Sequence, residues 1–216
     1  MTDLIKELMS KVKLIWATPD GESLVAYMAR VSNPANQDNK EGVDKLLQYL
    51  ARNNHWSPFE MVNACVEIET TRDIARQILR HRSFSFQEFS QRYAEVTMFD
   101  TREARLQDHK NRQNSIPVQD RELESIWLEK QQQVIRYATE AYQWAITNNI
   151  AKEQARAVLP EGNTVSRMYM NGNLRSWLHY LKVRLDPSTQ KEHREVAEQI
   201  KVALSQHFPN ILKVIQ

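Results

Sequence analysis

The sequence contains a single cysteine, Cys65, and only four glycines among its 216 residues. One cysteine excludes an intramolecular disulfide and any zinc or iron–sulfur site built from several cysteines. The glycines at positions 21, 42, 162 and 172 are too far apart to form the glycine-rich loops that cradle dinucleotides or triphosphates. Side chains would therefore have to hold any phosphorylated ligand.

Strong charge bias and long apolar runs are also lacking. The formal net charge is only +2, which argues against a nucleic-acid coat or a polybasic membrane anchor. No stretch approaches membrane-spanning length, and residues 1–16 mix charged with apolar side chains, unlike a signal peptide. We expect a soluble cytoplasmic protein folded as one domain, residues 1–216, with no nucleic-acid or membrane partner.

Hydrophobic periodicity predicts an α+β fold with a mainly antiparallel sheet and flanking helices. The best strand signal is residues 59–70, where Val62, Ala64, Val66 and Ile68 alternate with polar residues. Further strands are predicted at residues 11–16, 90–96 and 164–171. Helices are predicted at residues 23–31, 44–53, 72–82, 121–148, 150–159, 174–185 and 191–208. The apolar side of the 121–148 helix is expected to consist of Leu123, Ile126, Trp127, Val134, Ala138, Ala141 and Ala145. Residues 83–88 are expected to be irregular, and residues 101–119 to form a polar surface loop, either mobile or covering a site.

The segment from Arg80 to Tyr93 concentrates the candidate chemistry. Its sequence, RHRSFSFQEFSQRY, combines three arginines with hydroxyl and amide side chains around Glu88. Arginine's planar fork matches two phosphate oxygens, and Glu88 is an acceptor suited to a ribose hydroxyl or a pyrimidine edge. A solvated basic helix end would explain three arginines alone. The adjoining serines, Gln87 and Glu88 favour a ligand site.

Two functions could use these arginines. A nucleotide-binding or nucleotide-hydrolysing protein fits them, but it would need a metal, and the sequence shows no metal-ligand motif. A nucleic-acid-binding module could use Arg72, Arg76, Arg80 and Arg82 on one helix, but the near-neutral charge and Glu88 argue against it.

Four motifs, in order, resemble the flavin-dependent thymidylate synthases. Arg80-His81-Arg82, followed after seven residues by Ser90, looks like the signature of that family. The other three motifs are HWSPFE at residues 55–60, ARAVLP at residues 155–160, and NLRS at residues 173–176 followed by Leu181, Arg184 and Asp186. The resemblance covers most of the chain.

The resemblance implies a non-Rossmann flavin-binding fold, with FAD bridging subunits of a homotetramer at sites on subunit interfaces. The implied FAD positions are Ser57, Arg80, His81, Arg82, Ser83 and Glu88, with Asn173, Leu174, Arg175 and His179 from another subunit. The implied dUMP positions are Gln77, Arg80, Glu88, Phe89, Ser90, Gln91, Arg92, Arg156 and Arg184. Arg92 and Arg156 would clamp the phosphate, Arg184 would stabilise negative charge on the pyrimidine, and His55 would stack near the folate.

The implied reaction is the reductive methylation of dUMP to dTMP. NADPH reduces FAD, methylenetetrahydrofolate supplies the carbon, and the reduced flavin supplies the hydride. Neither Cys65, within a predicted strand, nor Ser90, without a recognisable base, is expected to be a nucleophile. Gln87, His179 and Ser188 depart from the family pattern, which has asparagine, asparagine and histidine there, and these differences affect details of flavin and folate contact.

Overall fold

The computed structural model describes residues 10–214, apart from the side chain of residue 214. The strands are β1 (Lys11–Ala17), β2 (Asn63–Thr71), β3 (Ser85–Glu88), β4 (Arg105–Gln107), β5 (Ser115–Pro117) and β6 (Val165–Asn173). The helices are α1 (Gly21–Ala29), α2 (Val43–Arg52), α3 (Arg72–Ile78), α4 (Arg121–Thr147), α5 (Lys152–Ala155), α6 (Leu174–Arg184) and α7 (Lys191–Ser205). Short 3-10 helices form at Pro34–Asn36, Ser57–Met61, Arg156–Val158 and Leu212–Val214.

A four-stranded sheet organises these elements, in the order β1-β2-β6-β3. Each of its described pairs is antiparallel, and β4 and β5 form a separate antiparallel hairpin. The prediction of an α+β fold with an antiparallel sheet and flanking helices is therefore confirmed. None of the helices within residues 10–214 combines the length and apolarity needed to cross a bilayer.

The alternation in β2 divides the sheet into a buried face and a polar face. Ala64, Val66 and Ile68 have no exposed surface, whereas Glu67 and Glu69 on the opposite face are half-buried. The buried face packs against α3, α6 and α7. The indole N–H of Trp177 in α6 donates to the carbonyls of Ala64 (3.2 Å) and Gly172 (3.0 Å), so that α6 is fixed against β2 and β6.

Three local predictions around the arginine segment were wrong. The strand predicted at residues 59–70 begins only at Asn63, because Ser57–Met61 forms a 3-10 helix with proline near its start. Residues 85–88 are not irregular but form β3, since β6 supplies a hydrogen-bonding edge. Residues 90–96 are not a strand: backbone bonds from Tyr93 and Ala94 to the Ser90 carbonyl fold the chain into turns.

Two helices also differ from the sequence-based expectation. α3 ends at Ile78, four residues before the predicted end, and the backbone N–H groups of Arg80 and His81 then bond to carbonyls three residues earlier. α4 has the expected length, but Leu123, Ile126, Trp127 and Val134, expected to be inside, are exposed. Its buried residues are Gln131, Ile135, Ala138, Tyr142 and Ala145. This stripe is the part of α4 that is buried within the described chain.

Candidate active site

The turn between α3 and β3 separates the arginines from the histidine of the signature segment. Arg80, Arg82 and Ser83 are exposed, whereas His81 points inward and is half-buried. Phe84 anchors the turn: its ring is buried and lies 4.6 Å, centroid to centroid, from that of Trp177. This packing requires Gly172, because a Cβ added there would lie 2.6 Å from Cε1 of Phe84.

His81 pairs with Arg184, which belongs to the last of the four sequence motifs and ends α6. Nε of Arg184 donates to Nε2 of His81 at 2.8 Å. Burial, followed by the positive charge of Arg184, lowers the pKa of His81 to about 4. Because Nε2 accepts the bond, the neutral ring carries its proton on Nδ1. The structure therefore brings together two predicted site residues and leaves His81 a donor at neutral pH.

A second polar group lies behind this pair. Nδ1 of His193, in α7, is 3.2 Å from Oε1 of Gln77, and Nε2 is 3.1 Å from the hydroxyl of Tyr180. The ring of His81 lies 4.8 Å from that of Tyr180 and 6.3 Å from that of His193. Gln77, predicted to contact dUMP, thus belongs to the same cluster as Arg184 and His81.

His193 was not foreseen as a site residue. It has no exposed surface, and it lies on the buried face of α7 with Val196, Ala197, Ile200 and Leu204. The sequence contained a signal, since a histidine occupied an apolar position of an amphipathic helix. A buried polar side chain at such a position needs partners, and these are Gln77 and Tyr180.

Glu88 is held by positive charge. One carboxylate oxygen accepts from Arg72 (3.4 Å) and Ser166 (2.9 Å), and the other accepts from Arg76 (3.3 Å). The interpretation of Glu88 as an acceptor for a ligand overlooked these two arginines, which had been considered only for nucleic-acid binding. Glu88 thus also fixes the arginines of α3.

An arginine-lined cavity of about 420 Å³ lies beside this network. Arg72, Arg76 and Arg156 line it together with Gln91 and Glu153. Arg92, outside the cavity lining, reaches the Glu153 carboxylate at 3.3 Å, and Nε of Arg156 donates to the Glu153 carbonyl at 3.3 Å. The two predicted phosphate clamps, Arg92 and Arg156, therefore both contact Glu153. The cavity is lined by three guanidinium groups and by the carboxylates of Glu153 and Glu161.

Phe89 and Ser90 line a second cavity of about 560 Å³. Gln87, Glu88 and Tyr93 also line it, together with residues of β6. The Ser90 hydroxyl accepts from the Arg92 backbone N–H at 3.4 Å, and no histidine in the described chain bonds to it. Ser90 therefore has the surroundings of a binding residue.

The remaining predicted residues lie around the 3-10 helix Ser57–Met61 and the start of α6. Arg175 forms an ion pair with Glu60, and the ring of His179 lies 4.9 Å from that of Trp56. Ser57, Arg175 and His179 are exposed there. His55, just before this helix, is exposed and makes an edge contact with Tyr49 at 6.0 Å.

Asn173 and Leu174 have structural roles at the start of α6. The Asn173 side chain accepts from the Ser176 N–H at 2.9 Å and caps the helix. Leu174 has no exposed surface: its side chain belongs to the core, and its backbone N–H donates to the Val62 carbonyl at 2.9 Å. Cys65 is buried in β2, and burial raises the pKa of its thiol, consistent with the expected packing role.

An antiparallel α+β fold with an arginine-lined site and no glycine-rich phosphate loop defines a class of protein that holds anionic ligands through side chains. The family model described as "Thymidylate synthase complementing protein" matches residues 13–210. The chain belongs to this family, and its expected place among the flavin-dependent thymidylate synthases, and hence among enzymes, is confirmed.

Known proteins cover nearly the whole chain. A flavin-dependent thymidylate synthase from Synechocystis sp. is 50% identical over 195 residues, which are 90% of this chain and 89% of the relative. A probable flavin-dependent thymidylate synthase of Paramecium bursaria Chlorella virus 1 is 45% identical over 90% of both chains. The solved structure of a UMP/dUMP methylase, PolB from Streptomyces cacaoi bound with 5-Br dUMP, superposes with a TM-score of 0.87 at 26% identity, covering 97% of this chain and 95% of that one.

Proposed function

We propose that this enzyme converts dUMP to dTMP, with methylenetetrahydrofolate as carbon donor and FAD, reduced by NADPH, as hydride donor. The observation that carries the proposal is that Arg184 bonds to His81, a residue of the arginine segment, and that Gln77 lies in the same cluster. The family membership and the 50% identity with a flavin-dependent thymidylate synthase support it.

The residues present fit a phosphorylated flavin. Exposed guanidinium groups of Arg80, Arg82 and Arg175 offer paired donors for a pyrophosphate, as a chain without glycine-rich loops requires. Neutral His81 offers its Nδ1–H. The other proposed FAD residues are Ser57, Ser83, Glu88, Asn173, Leu174 and His179. When bound, FAD supplies hydride transfer, which no amino-acid side chain can provide.

In the proposed dUMP site, different arginines bind the phosphate and the pyrimidine. Arg92 and Arg156 neutralise the phosphate beside the smaller cavity. Gln77 and Arg184 face the pyrimidine, and Arg184 favours the transition state in which negative charge develops on the ring. Arg80, Glu88, Phe89, Ser90 and Gln91 complete the proposed nucleotide contacts, and His55 is proposed to lie near the folate.

A homotetramer with sites at subunit interfaces is part of the proposal. Arg80, Arg82, Arg175 and His179 are exposed on the single chain, as expected for residues that complete a site with a second copy. α4 also carries an exposed apolar stripe that includes Ile126, Tyr137 and Trp144.

The purified protein provides the test. We expect flavin absorbance bands, with FAD added if necessary, and bleaching by NADPH in the absence of oxygen. With dUMP and methylenetetrahydrofolate, dTMP should then form, and omission of any one reactant should abolish it. A protein that never binds FAD would overturn the proposal and leave a nucleotide-binding protein without flavin.

A further inference from the structure

Glu192 fixes the direction of a hydrogen-bond chain that ends in the nucleotide site. Its carboxylate pairs with Arg102 at 3.0 Å and with Arg105. Burial alone would raise the pKa of Glu192, but the Arg105 hydrogen bond and the Arg102 charge outweigh it and bring the pKa to about 2. An ionised carboxylate only accepts hydrogen bonds, so every group facing it must donate.

The amide orientations of two glutamines follow from this. Gln190 lies 3.0 Å from Glu192 and must present its NH₂ group to the carboxylate. Its carbonyl oxygen is then free to face Gln77, whose NH₂ group donates to it at 2.7 Å. The carbonyl of Gln77 consequently faces His193. Neither amide can be flipped without placing two donors or two acceptors in contact.

The tautomer of His193 follows in turn. The Gln77 carbonyl only accepts, so Nδ1 of His193 carries the hydrogen. Burial, followed by the charge of Arg184 and by His81, lowers the pKa of His193 to about 3, so the ring is neutral and Nε2 is bare. Nε2 accepts from the Tyr180 hydroxyl at 3.1 Å. The donors therefore run in one direction from Tyr180 to Glu192.

We propose that His193 is a positioning residue for the nucleotide, holding Gln77 so that its amide presents a donor, never an acceptor, to the substrate. One NH₂ hydrogen of Gln77 is bound by Gln190, and the second meets no acceptor among residues 10–214. It is therefore available for an acceptor oxygen of the nucleotide. The inference rests on the proposed function, because it takes dUMP as the ligand beside Gln77.

Substitutions of His193 separate positioning from packing. His193→Leu keeps the bulk but removes the donor to Gln77, and we expect the KM for dUMP to rise about tenfold, the worth of one hydrogen bond, with a smaller change in kcat and unchanged FAD binding. His193→Asn places an amide N–H near the position of Nδ1–H and should restore most of the affinity. His207→Leu, after the end of α7, is the matched control and should leave KM unchanged.

A measurement on the wild-type protein does not depend on any variant folding. Long-range ¹H–¹⁵N NMR should show His193 neutral, with its proton on Nδ1, between pH 6 and 8. A proton on Nε2, or a His193→Leu variant with the wild-type KM for dUMP, would overturn the inference. If the wild-type enzyme itself fails to bind dUMP, the proposed function is overturned instead. The tautomer of His193 would still test the direction of the hydrogen-bond chain.

Discussion

Among residues 10–214, Arg184 donates through its Nε–H to His81, and its terminal nitrogens have no bond there, so they remain available for a ligand. Arg184→Ala should retain FAD but lower the rate of dTMP formation by about a hundredfold or more, since a donor aimed at developing negative charge is lost. Flavin absorbance and single-turnover product formation measure the two effects separately. Full activity in this variant would contradict the role of Arg184.

The two buried histidines predict how stability depends on pH. Burial lowers the pKa values of His81 and His193 to about 4 and about 3, below the value near 6.5 of an unfolded chain. The unfolded state therefore binds more protons below pH 6.5, and the free energy of unfolding falls as pH drops from about 6.5 towards 3. Their stabilising effect is complete only above about pH 6.5.

Urea unfolding at pH 7.5 and pH 5.5 tests this prediction. The wild-type protein should lose about 1 kcal/mol for each neutral histidine over that interval. His193→Asn should show a smaller loss, because one of the two groups no longer titrates. An equal pH dependence in both proteins would show that His193 titrates normally in the folded state.

The contact between Gly172 in β6 and the ring of Phe84 fixes the turn between α3 and β3. Gly172→Ala would place a methyl group against that ring. We expect a loss of about 1–3 kcal/mol in the free energy of unfolding, together with weaker FAD binding, because Phe84 positions His81 and β3. Urea unfolding and flavin titration measure both. Gly162→Ala, whose added methyl group meets no atom within 4 Å, is the control and should change neither.

The elements also show which parts of the fold could be predicted from sequence. β2 and β6 were recognisable because one face of each is buried and the other polar, which leaves a period of two. β3 was missed because four residues at a sheet edge are too few for a period and depend on the partner strand. For α4 the length was predictable, and Ala138 and Ala145 are buried as expected. The other residues of the predicted face are exposed, since apolar residues occur on two sides of the helix.

The candidate site shows the same division. The signature segment, Arg156 and Arg184 were identified from motifs, and the structure brings His81 and Arg184 together as expected of one site. The partners of these residues were not predictable. Glu88 binding Arg72 depends on how the turn after α3 places β3, and His193 binding Gln77 depends on packing between elements far apart in the sequence.

For the whole molecule, the exposed stripe on α4 predicts the effect of disrupting assembly. Tyr137 and Trp144 are 64% and 63% exposed on the single chain, an unfavourable arrangement unless a partner covers them. The double variant Tyr137→Glu/Trp144→Glu should give particles smaller than the proposed tetramer in light scattering, with loss of activity. Val202→Glu, at an exposed apolar residue of α7, is the control. A double variant that remains tetrameric and fully active would show that this stripe does not form the subunit interface.

Arg102 connects three helices across the molecule. Its backbone N–H and carbonyl bond the Gln131 amide of α4, and its guanidinium reaches Asp73 of α3 (2.7 Å) and Glu192 of α7 (3.0 Å). Arg105, at the start of the polar hairpin, binds the same Glu192. Removing this hairpin to aid crystallisation would therefore also remove a counterion of Glu192. We expect such a deletion to weaken dUMP binding, at a site remote from the deleted residues.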